Sequence, residues 1–373
     1  MATMRRITCS HYLMNGVFVK KVKGSLVVKF SLYLTVLILL LLGTMNNLSA
    51  GTNTDSLFVL VFGDSVTMGA WADTELGNPK PGFYLEAILM QIHVSLVEMI
   101  TGTKLNDLSN PLEYALFLEK YFNYICREHL SAIIGNQSYS IPQRLEHATG
   151  SHVEIFSAST LAGCYQTSSI LIEKLNDFYK NHPAHKAPEL IIINFNSMDL
   201  IFNTPNEDFH RYVKNFFIEV TNRFPESTII VTPLMDIVTI MTTSYEKVTI
   251  PSKFGLQEVR CADYYEDISF GTLLGLVPSA SEEEVALIRL KLKTMQEILD
   301  EDLDEIKNGT SESYHNFTGK IVQVVGLNPP DNDWQQYLAI DCVHSNIRGH
   351  IALSQLLWDT IAREFLMQQS ESN

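Results

Sequence analysis

The chain has 373 residues, of which 46% are hydrophobic and 18% charged, so it can bury a substantial core and does not belong to the disordered class. The formal net charge is -15, and subtracting the six positive charges of residues 1–54 leaves -21 for the rest. A body this acidic repels a phosphate backbone, which argues against nucleic acid as a partner.

The first 54 residues have the pattern of a targeting segment, with six Lys and Arg and no Asp or Glu. The uncharged run Phe30–Leu42 has a length that suits the core of a signal peptide. If Lys29 snorkels, Leu26–Met45 becomes long enough to span a bilayer. Either reading makes the rest of the chain secreted, or membrane-anchored through residues 26–45 and extracytoplasmic. The alternative is a buried core helix.

Five short apolar runs are typical of strands buried on both faces, as in a parallel sheet covered by helices. They are Leu57–Phe62, Val153–Phe156, Leu190–Phe195, Thr228–Val231 and Ile321–Val325. Between them, Ser168–Tyr179 and Phe209–Arg223 carry apolar residues three and four positions apart, which predicts helices. This alternation predicts one doubly wound α/β domain over residues 55–369, with its site at the carboxyl ends of the strands.

Two segments, residues 66–152 and 236–320, are too long to be simple connections between strands. The helices predicted in them are Tyr84–Met99, Pro111–Leu130 and Ser281–Ile306. The third begins with the pattern of a capping box, Ser281 followed by Glu284. Insertions of this size either shape a substrate pocket or are structural padding. Their aromatic residues accordingly line an acyl or lipid pocket or form a minor core; they are Phe83, Tyr84, Tyr121, Phe122, Tyr124, Tyr264 and Tyr265.

Cysteines and glycosylation sequons bear on the compartment. Four cysteines follow the leader: Cys126, Cys164, Cys261 and Cys342. In an exported protein they form two disulfides in one of three pairings, or they are buried free thiols. Acceptor sequons stand at Asn47, Asn136, Asn308 and Asn316, which predicts a glycoprotein if the host glycosylates its exported proteins.

The first segment with chemistry is "FVLVFGDSVTMG", residues 58–69. Ser65 follows a predicted buried strand, in the turn where a helix is expected to begin. Backbone amides at such a turn can stabilise an oxyanion, and Gly63 permits a sharp bend. Ser65 is therefore a candidate nucleophile; the alternative is an Asp/Ser turn with a capping role.

The second segment is "DCVHSNIRGH", residues 341–350, which precedes a predicted helix, Ile347–Leu366. Asp341 and His344 are close enough for the carboxylate to accept a hydrogen bond from one imidazole nitrogen. The other nitrogen is then available to take a proton from a nucleophile. The alternative is a helix-capping Asp beside a surface His.

The "GDSV" block, together with "DCVHSNIRGHIALSQLLWDTI", resembles the SGNH/GDSL hydrolase family, and specifically its phospholipase B-like branch. The resemblance implies a flavodoxin-like three-layer α/β/α sandwich with a mainly parallel five-stranded sheet. It also implies that Ser65 is the nucleophile, His344 the general base and acid, and Asp341 the residue that orients the imidazole.

In this family a glycine and an asparagine complete the oxyanion hole, which implies Gly163 and Asn196 here. "SASTLAGCY" supplies Gly163, whose alternative role is a packing or turn glycine. "FNSMDL" departs from the family block, because alignment on Asp199 puts Met198 at the asparagine position, and a thioether cannot donate a hydrogen bond. Either Asn196 reaches the site from two residues upstream, or one donor is missing.

The sequence has no zinc-type spacing of His and Cys and no phosphate-binding glycine loop, so we expect neither a metal nor a cofactor. The resemblance favours hydrolysis of lipid or phospholipid esters through an acyl-Ser65 intermediate. The alternatives are a carbohydrate O-acetyl esterase or acyltransferase that uses the same site, and a non-catalytic binding protein with the same fold. The oligomeric state stays open.

Overall fold

A computed structural model describes residues 56–70, 72–73, 97, 99–102, 110–242, 248–252, 255–259, 281–326, 334–339 and 344–367. These residues belong to one compact unit, Ser56–Asn373. The predicted leader, Asp341, Cys261, Cys342 and most of the predicted helix Tyr84–Met99 lie outside the described residues. Within the described ranges, no helix has the length and apolar character needed to cross a membrane.

Seven strands are described. They are β1 Leu57–Gly63, β2 Val153–Ser159, β3 Leu190–Asn194, β4 Thr228–Val231, β5 Val248–Ser252, β6 Gly255–Val259 and β7 Lys320–Gln323. Five of them form one sheet in the order β2-β1-β3-β4-β7, and every neighbouring pair is parallel. This is the strand order of the flavodoxin-like doubly wound fold.

Eight helices are described alongside the strands. They are α1 Pro111–Phe122, α2 Ile141–Thr149, α3 Ser168–Asn181, α4 Met198–Ile201, α5 Asn206–Arg223, α6 Ile237–Thr242, α7 Glu282–Asn308 and α8 Ile347–Ile361, the last extended by a π-helical turn, Ala362–Leu366.

The helices cover both faces of the sheet, because alternate residues of a strand point to opposite sides. On one face, Leu60 and Phe62 of β1 pack in a cluster with α3, α5 and α7. On the other face, Val59 and Val61 pack in a cluster with α2 and α8. The predicted three-layer α/β/α sandwich is therefore confirmed, and its two cores lie above and below a fully buried central strand.

Three local differences separate the structure from the sequence expectations. The segment after Ser65 is a series of hydrogen-bonded turns, and no helix begins there. The predicted helix Pro111–Leu130 ends as α1 at Phe122, and two short 3-10 turns follow it. The antiparallel hairpin of β5 and β6 was not predicted, because a two-stranded ribbon in an insertion lacks the long apolar runs of the buried sheet.

The capping box at the start of α7 is confirmed. The Ser281 side chain accepts the backbone N–H of Glu284, and the Glu284 carboxylate accepts the backbone N–H of Ser281.

The strand order places a crevice at the carboxyl end of β1. From β1 the chain crosses to β2 on one side, and from the adjacent strand β3 it crosses to β4 on the other side. Connections that leave in opposite directions from adjacent strands open the crevice in which doubly wound folds bind their ligands. Ser65 lies two residues beyond the end of β1.

Candidate active site

The structure brings Ser65 and His344 together. Ser65 Oγ lies 2.7 Å from His344 Nε2, across 279 residues of sequence. With the imidazole proton on Nδ1, the Ser65 hydroxyl donates to Nε2, which is the tautomer that a general base requires. The Ser65 residue is 8% exposed and His344 is half-buried. A hydroxyl and an imidazole in hydrogen-bond contact are the minimum arrangement for nucleophilic catalysis by serine.

Ser65 is held in a tight turn directly after β1. The Met68 N–H donates to the Asp64 carbonyl at 3.1 Å, and the Ala70 N–H donates to the Ser65 carbonyl at 2.9 Å. A Cβ at Gly63 would lie 2.0 Å from Thr67 Oγ1, so only glycine fits at the bend.

Asp64 connects the Ser65 turn to the end of β3. Its Oδ1 accepts the N–H of Val66 at 2.9 Å, and its Oδ2 accepts the N–H of Asn196 at 3.0 Å. Burial raises the pKa of Asp64 to about 6, although these backbone donors and the nearby His344 act in the opposite direction. The carboxylate is therefore mostly ionised at neutral pH, the form that accepts these backbone hydrogen bonds best.

Asp199 makes the corresponding connection from the β3 loop to the β2 loop. Its two carboxylate oxygens accept the N–H groups of Tyr165 and Gln166, each at 3.0 Å. Burial raises the pKa of Asp199 to about 6, against the effect of these donors. The loops after β1, β2 and β3 are thus tied to one another by two buried carboxylates.

Gly163 packs against the Ser65 turn. A Cβ on Gly163 would lie 2.1 Å from the carbonyl oxygen of Gly63, so any side chain would separate the two loops. The Gly163 N–H donates to the Thr160 carbonyl at 3.0 Å. The structure therefore accounts for this glycine by close packing, and its amide already belongs to a turn.

Asn196 carries a side-chain donor that is available to a ligand. Its Nδ2 is buried and has no hydrogen-bond partner among the described residues, while its own N–H is bound to Asp64 beside Ser65. A buried amide nitrogen without a partner is costly unless a ligand satisfies it. Met198 is 7% exposed and belongs to the main core cluster, and its thioether cannot donate a hydrogen bond to an oxyanion.

The backbone N–H of Ser65, the candidate nucleophile, is a second available donor. Within the described ranges, the Ser65 backbone N–H donates no hydrogen bond to another residue.

His344 is positioned by Asn346, a residue that the sequence interpretation missed. The Asn346 Oδ1 accepts the Gly349 N–H at 3.0 Å and so caps α8, while its Nδ2 donates to the carbonyls of Gln336 and Leu338. Asn346 is 2% exposed, so all three bonds are shielded from water. An Asn immediately before a predicted helix was the available signal, because Asn is a favoured N-cap residue.

Ser131 and Ala132 connect the Ser65 turn to His350 of α8. Ser131 Oγ donates to the Thr67 carbonyl at 2.7 Å, and the next residue, Ala132, donates its N–H to His350 Nδ1 at 3.3 Å. Burial, followed by the charge of His344, lowers the pKa of His350 to about 4, so this imidazole is neutral. The insertion between β1 and β2 therefore braces the Ser65 turn against α8.

The remaining sequence predictions have plain outcomes. Asp341 lies outside the described residues, so its place beside His344 stays a prediction. Cys164 is a buried free thiol, which rules out an arrangement of two disulfides among the four cysteines. In the part of the chain that the structure describes, no three His, Cys, Asp or Glu side chains are grouped to hold a metal. The sequon residues Asn136, Asn308 and Asn316 are exposed.

Comparison with known proteins adds no family assignment: no family model matches the chain, and no curated protein is significantly similar to it.

Proposed function

We propose that this protein is an exported serine ester hydrolase of the SGNH/GDSL type. The observation that carries the proposal is the 2.7 Å contact between Ser65 Oγ and His344 Nε2, at the carboxyl end of a central parallel strand. The two local motifs and the flavodoxin-like strand order agree with that family. In this proposal residues 55–369 form the hydrolase domain, and the leader directs it out of the cytoplasm.

The proposed reaction has two halves. His344 takes the Ser65 proton as Oγ attacks the ester carbonyl, and the resulting oxyanion accepts hydrogen bonds from the Ser65 N–H and Asn196 Nδ2. The tetrahedral intermediate collapses when His344 returns the proton to the leaving alcohol, which leaves an acyl-Ser65 ester. Water then attacks this ester with His344 as base, and the acid is released as His344 returns the proton to Ser65 Oγ. Asp341 is proposed to orient the imidazole.

Lipid or phospholipid esters are the substrate class that the family resemblance favours. A carbohydrate O-acetyl esterase would use the same atoms on a short acyl group. An acyltransferase would replace the water of the second half-reaction by another alcohol. A non-catalytic binding protein would keep the fold without turnover.

Hydrolysis of p-nitrophenyl acetate separates an enzyme from a binding protein. The wild-type chain is expected to turn this ester over, and Ser65→Ala and His344→Ala are each expected to lose about 10³-fold or more in kcat, because nucleophile and base act as one unit. His147→Ala, which alters an exposed histidine on α2, is the matched control and keeps wild-type activity. Turnover that survives both site substitutions would reject the proposal.

A further inference from the structure

Thr67 is fully buried in the turn that follows Ser65, and each of its polar atoms makes a hydrogen bond. Its N–H donates to Asp64 Oδ1 at 3.4 Å, and its carbonyl accepts the Ser131 hydroxyl at 2.7 Å. The Thr67 hydroxyl accepts Asn194 Nδ2 at 2.9 Å and donates to the Asn194 carbonyl at 3.5 Å. Thr67 therefore connects the Ser65 turn to the insertion before β2 and to the end of β3.

The Thr67 side chain occupies space that is open only because residue 63 is glycine. A Cβ at Gly63 would lie 2.0 Å from Thr67 Oγ1 and 2.5 Å from Thr67 Cβ. In the pairing of β1 with β3, Gly63 stands opposite Asn194, and each is the last residue of its strand. The Thr67 hydroxyl thus lies at the point where the two neighbouring strands end.

Asn194 is held from its other side by Thr232, the residue that follows β4. The Thr232 hydroxyl donates to Asn194 Oδ1 at 3.1 Å, and the Thr232 N–H donates to the Ile193 carbonyl at 2.9 Å. Asn194, Thr232 and Thr67 are each at most 1% exposed, so water does not compete for these hydrogen bonds. A buried chain of side-chain hydrogen bonds therefore runs from the Ser65 turn through β3 to β4.

We propose that Thr67 and Asn194 are positioning residues, which hold the Ser65 turn so that Oγ stays in contact with His344 Nε2. This inference rests on the proposed function and names two residues that act on the reaction through Ser65. Their burial keeps both side chains out of reach of a substrate, so neither is a catalytic residue. A displacement of about 1 Å at a reacting atom can cost about 100-fold in rate, which sets the scale of the effect.

Thr67→Val removes the hydroxyl and keeps the shape of the side chain. With p-nitrophenyl acetate, we expect kcat/KM to fall about 10- to 100-fold, because the Ser65 turn loses its connection to Asn194. Thr67→Ser restores the hydroxyl and is expected to return kcat/KM to within about threefold of the wild-type value. A role in packing alone would give the opposite order, because Val fills the site and Ser does not.

Thr221→Val is the matched control for the lost hydroxyl. Thr221 lies on α5 and is as buried as Thr67, and its hydroxyl donates to the Phe217 carbonyl. The same chemical change there is expected to lower thermal stability and to leave kcat/KM at the wild-type value, measured well below both unfolding midpoints. An equal loss of kcat/KM in Thr221→Val would overturn the inference, because the loss would then follow stability.

A double-mutant cycle tests whether the two residues act as one unit. Asn194→Ala alone is expected to lower kcat/KM as Thr67→Val does, and the double variant is expected to lose no more than the weaker of the two single variants. Losses that multiply in the double variant overturn the inference, as does a Thr67→Val enzyme with the wild-type kcat/KM.

Thr232→Val provides a further measurement if the Thr67 and Asn194 variants do not fold. It removes the hydroxyl that holds Asn194 and leaves the Ser65 turn unaltered, and we expect kcat/KM to fall about three- to tenfold. An unchanged kcat/KM in this variant overturns the inference and leaves the serine hydrolase proposal standing. Absence of any Ser65-dependent turnover in the wild type, by contrast, rejects both.

Discussion

The Asp64 carboxylate accepts the backbone N–H of Asn196 at 3.0 Å. Asp64 directly precedes Ser65, the candidate nucleophile, and the side-chain Nδ2 of Asn196 has no hydrogen-bond partner among the described residues. Because both groups are buried, this bond fixes the relative position of the Ser65 turn and Asn196, the proposed oxyanion donor. Preorganised donors of this kind lower the barrier because no reorganisation is needed during the reaction.

Replacing Asp64 by Asn is expected to lower kcat/KM about 10- to 100-fold, because an amide leaves at least one buried backbone N–H without an acceptor. The substitution also removes a negative charge that interacts with His344. The acid limb of the pH–rate profile is therefore expected to move to lower pH. Steady-state kinetics from pH 5 to pH 9 measure both effects.

Asp208→Asn serves as the control for this prediction, since Asp208 is an acidic residue on α5 that forms an ion pair with Arg211 one turn away. It should behave as wild type. An Asp64→Asn enzyme with unchanged rate and unchanged pH profile would contradict the proposed role of Asp64 in holding Asn196 next to Ser65.

Asn196→Ala is expected to reduce kcat and kcat/KM together by about 10²–10³, the usual cost of one lost oxyanion donor. A substrate analogue that binds without forming an oxyanion should keep its affinity. Met198→Leu is the informative comparison, because the thioether lies in the core and makes no contribution to the oxyanion. Equal losses at the two positions would mean that Asn196 acts through the fold and not through its Nδ2.

Substitutions at Asn346 separate helix capping from loop positioning. Asn346→Ala removes the α8 cap and the two donors that hold the loop before His344, so both stability and kcat should fall. Asn346→Asp keeps the cap acceptor but loses both donors to the carbonyls of Gln336 and Leu338. We expect the Asp variant to lose thermal stability as well, because its buried carboxylate faces two carbonyl oxygens, and to match the Ala variant in lost kcat. An Asp variant with wild-type kcat would show that the cap alone positions His344.

The lowered pKa of His350 predicts that the folded protein loses stability as the pH falls. Its pKa in the folded protein is about 4, against about 6.5 for an unfolded histidine, so the unfolded chain takes up a proton first as the pH falls. Stability is therefore lost as the pH falls from about 6.5 to about 4, by on the order of 3 kcal/mol from this residue alone. His350→Gln should flatten this part of the stability curve, measured by urea unfolding at several pH values. His147→Gln, at an exposed position, should leave the slope unchanged.

The sheet could be predicted because its signal is local. The strand Thr228–Val231 has the predicted bounds, and the other four strands of the main sheet differ from prediction by one to three residues at an end. Ser65 and His344 could be predicted as candidates because each stands in a short motif next to a strand or helix. Their contact itself required the fold, since no periodicity encodes the distance between residues 279 positions apart.

The supporting groups could not be predicted for the same physical reason. Asp64 meets Asn196 across 132 residues, and Ala132 meets His350 across 218 residues. Such contacts depend on which loops share an edge of the sheet. The choice between Asn196 and Met198 also needed coordinates: both residues are buried, and the structure adds that Asn196 Nδ2 has no hydrogen-bond partner among the described residues.

Covalent labelling tests the central claim most directly. The wild-type chain is treated with a fluorophosphonate, and the modified residue is located by peptide mass spectrometry. The account predicts one phosphonate adduct per chain, on Ser65, with a labelling rate that drops at least about 10³-fold in His344→Ala because the base is lost. A wild-type chain that remains unlabelled, or carries its adduct on another residue, would contradict the assignment of Ser65 as nucleophile.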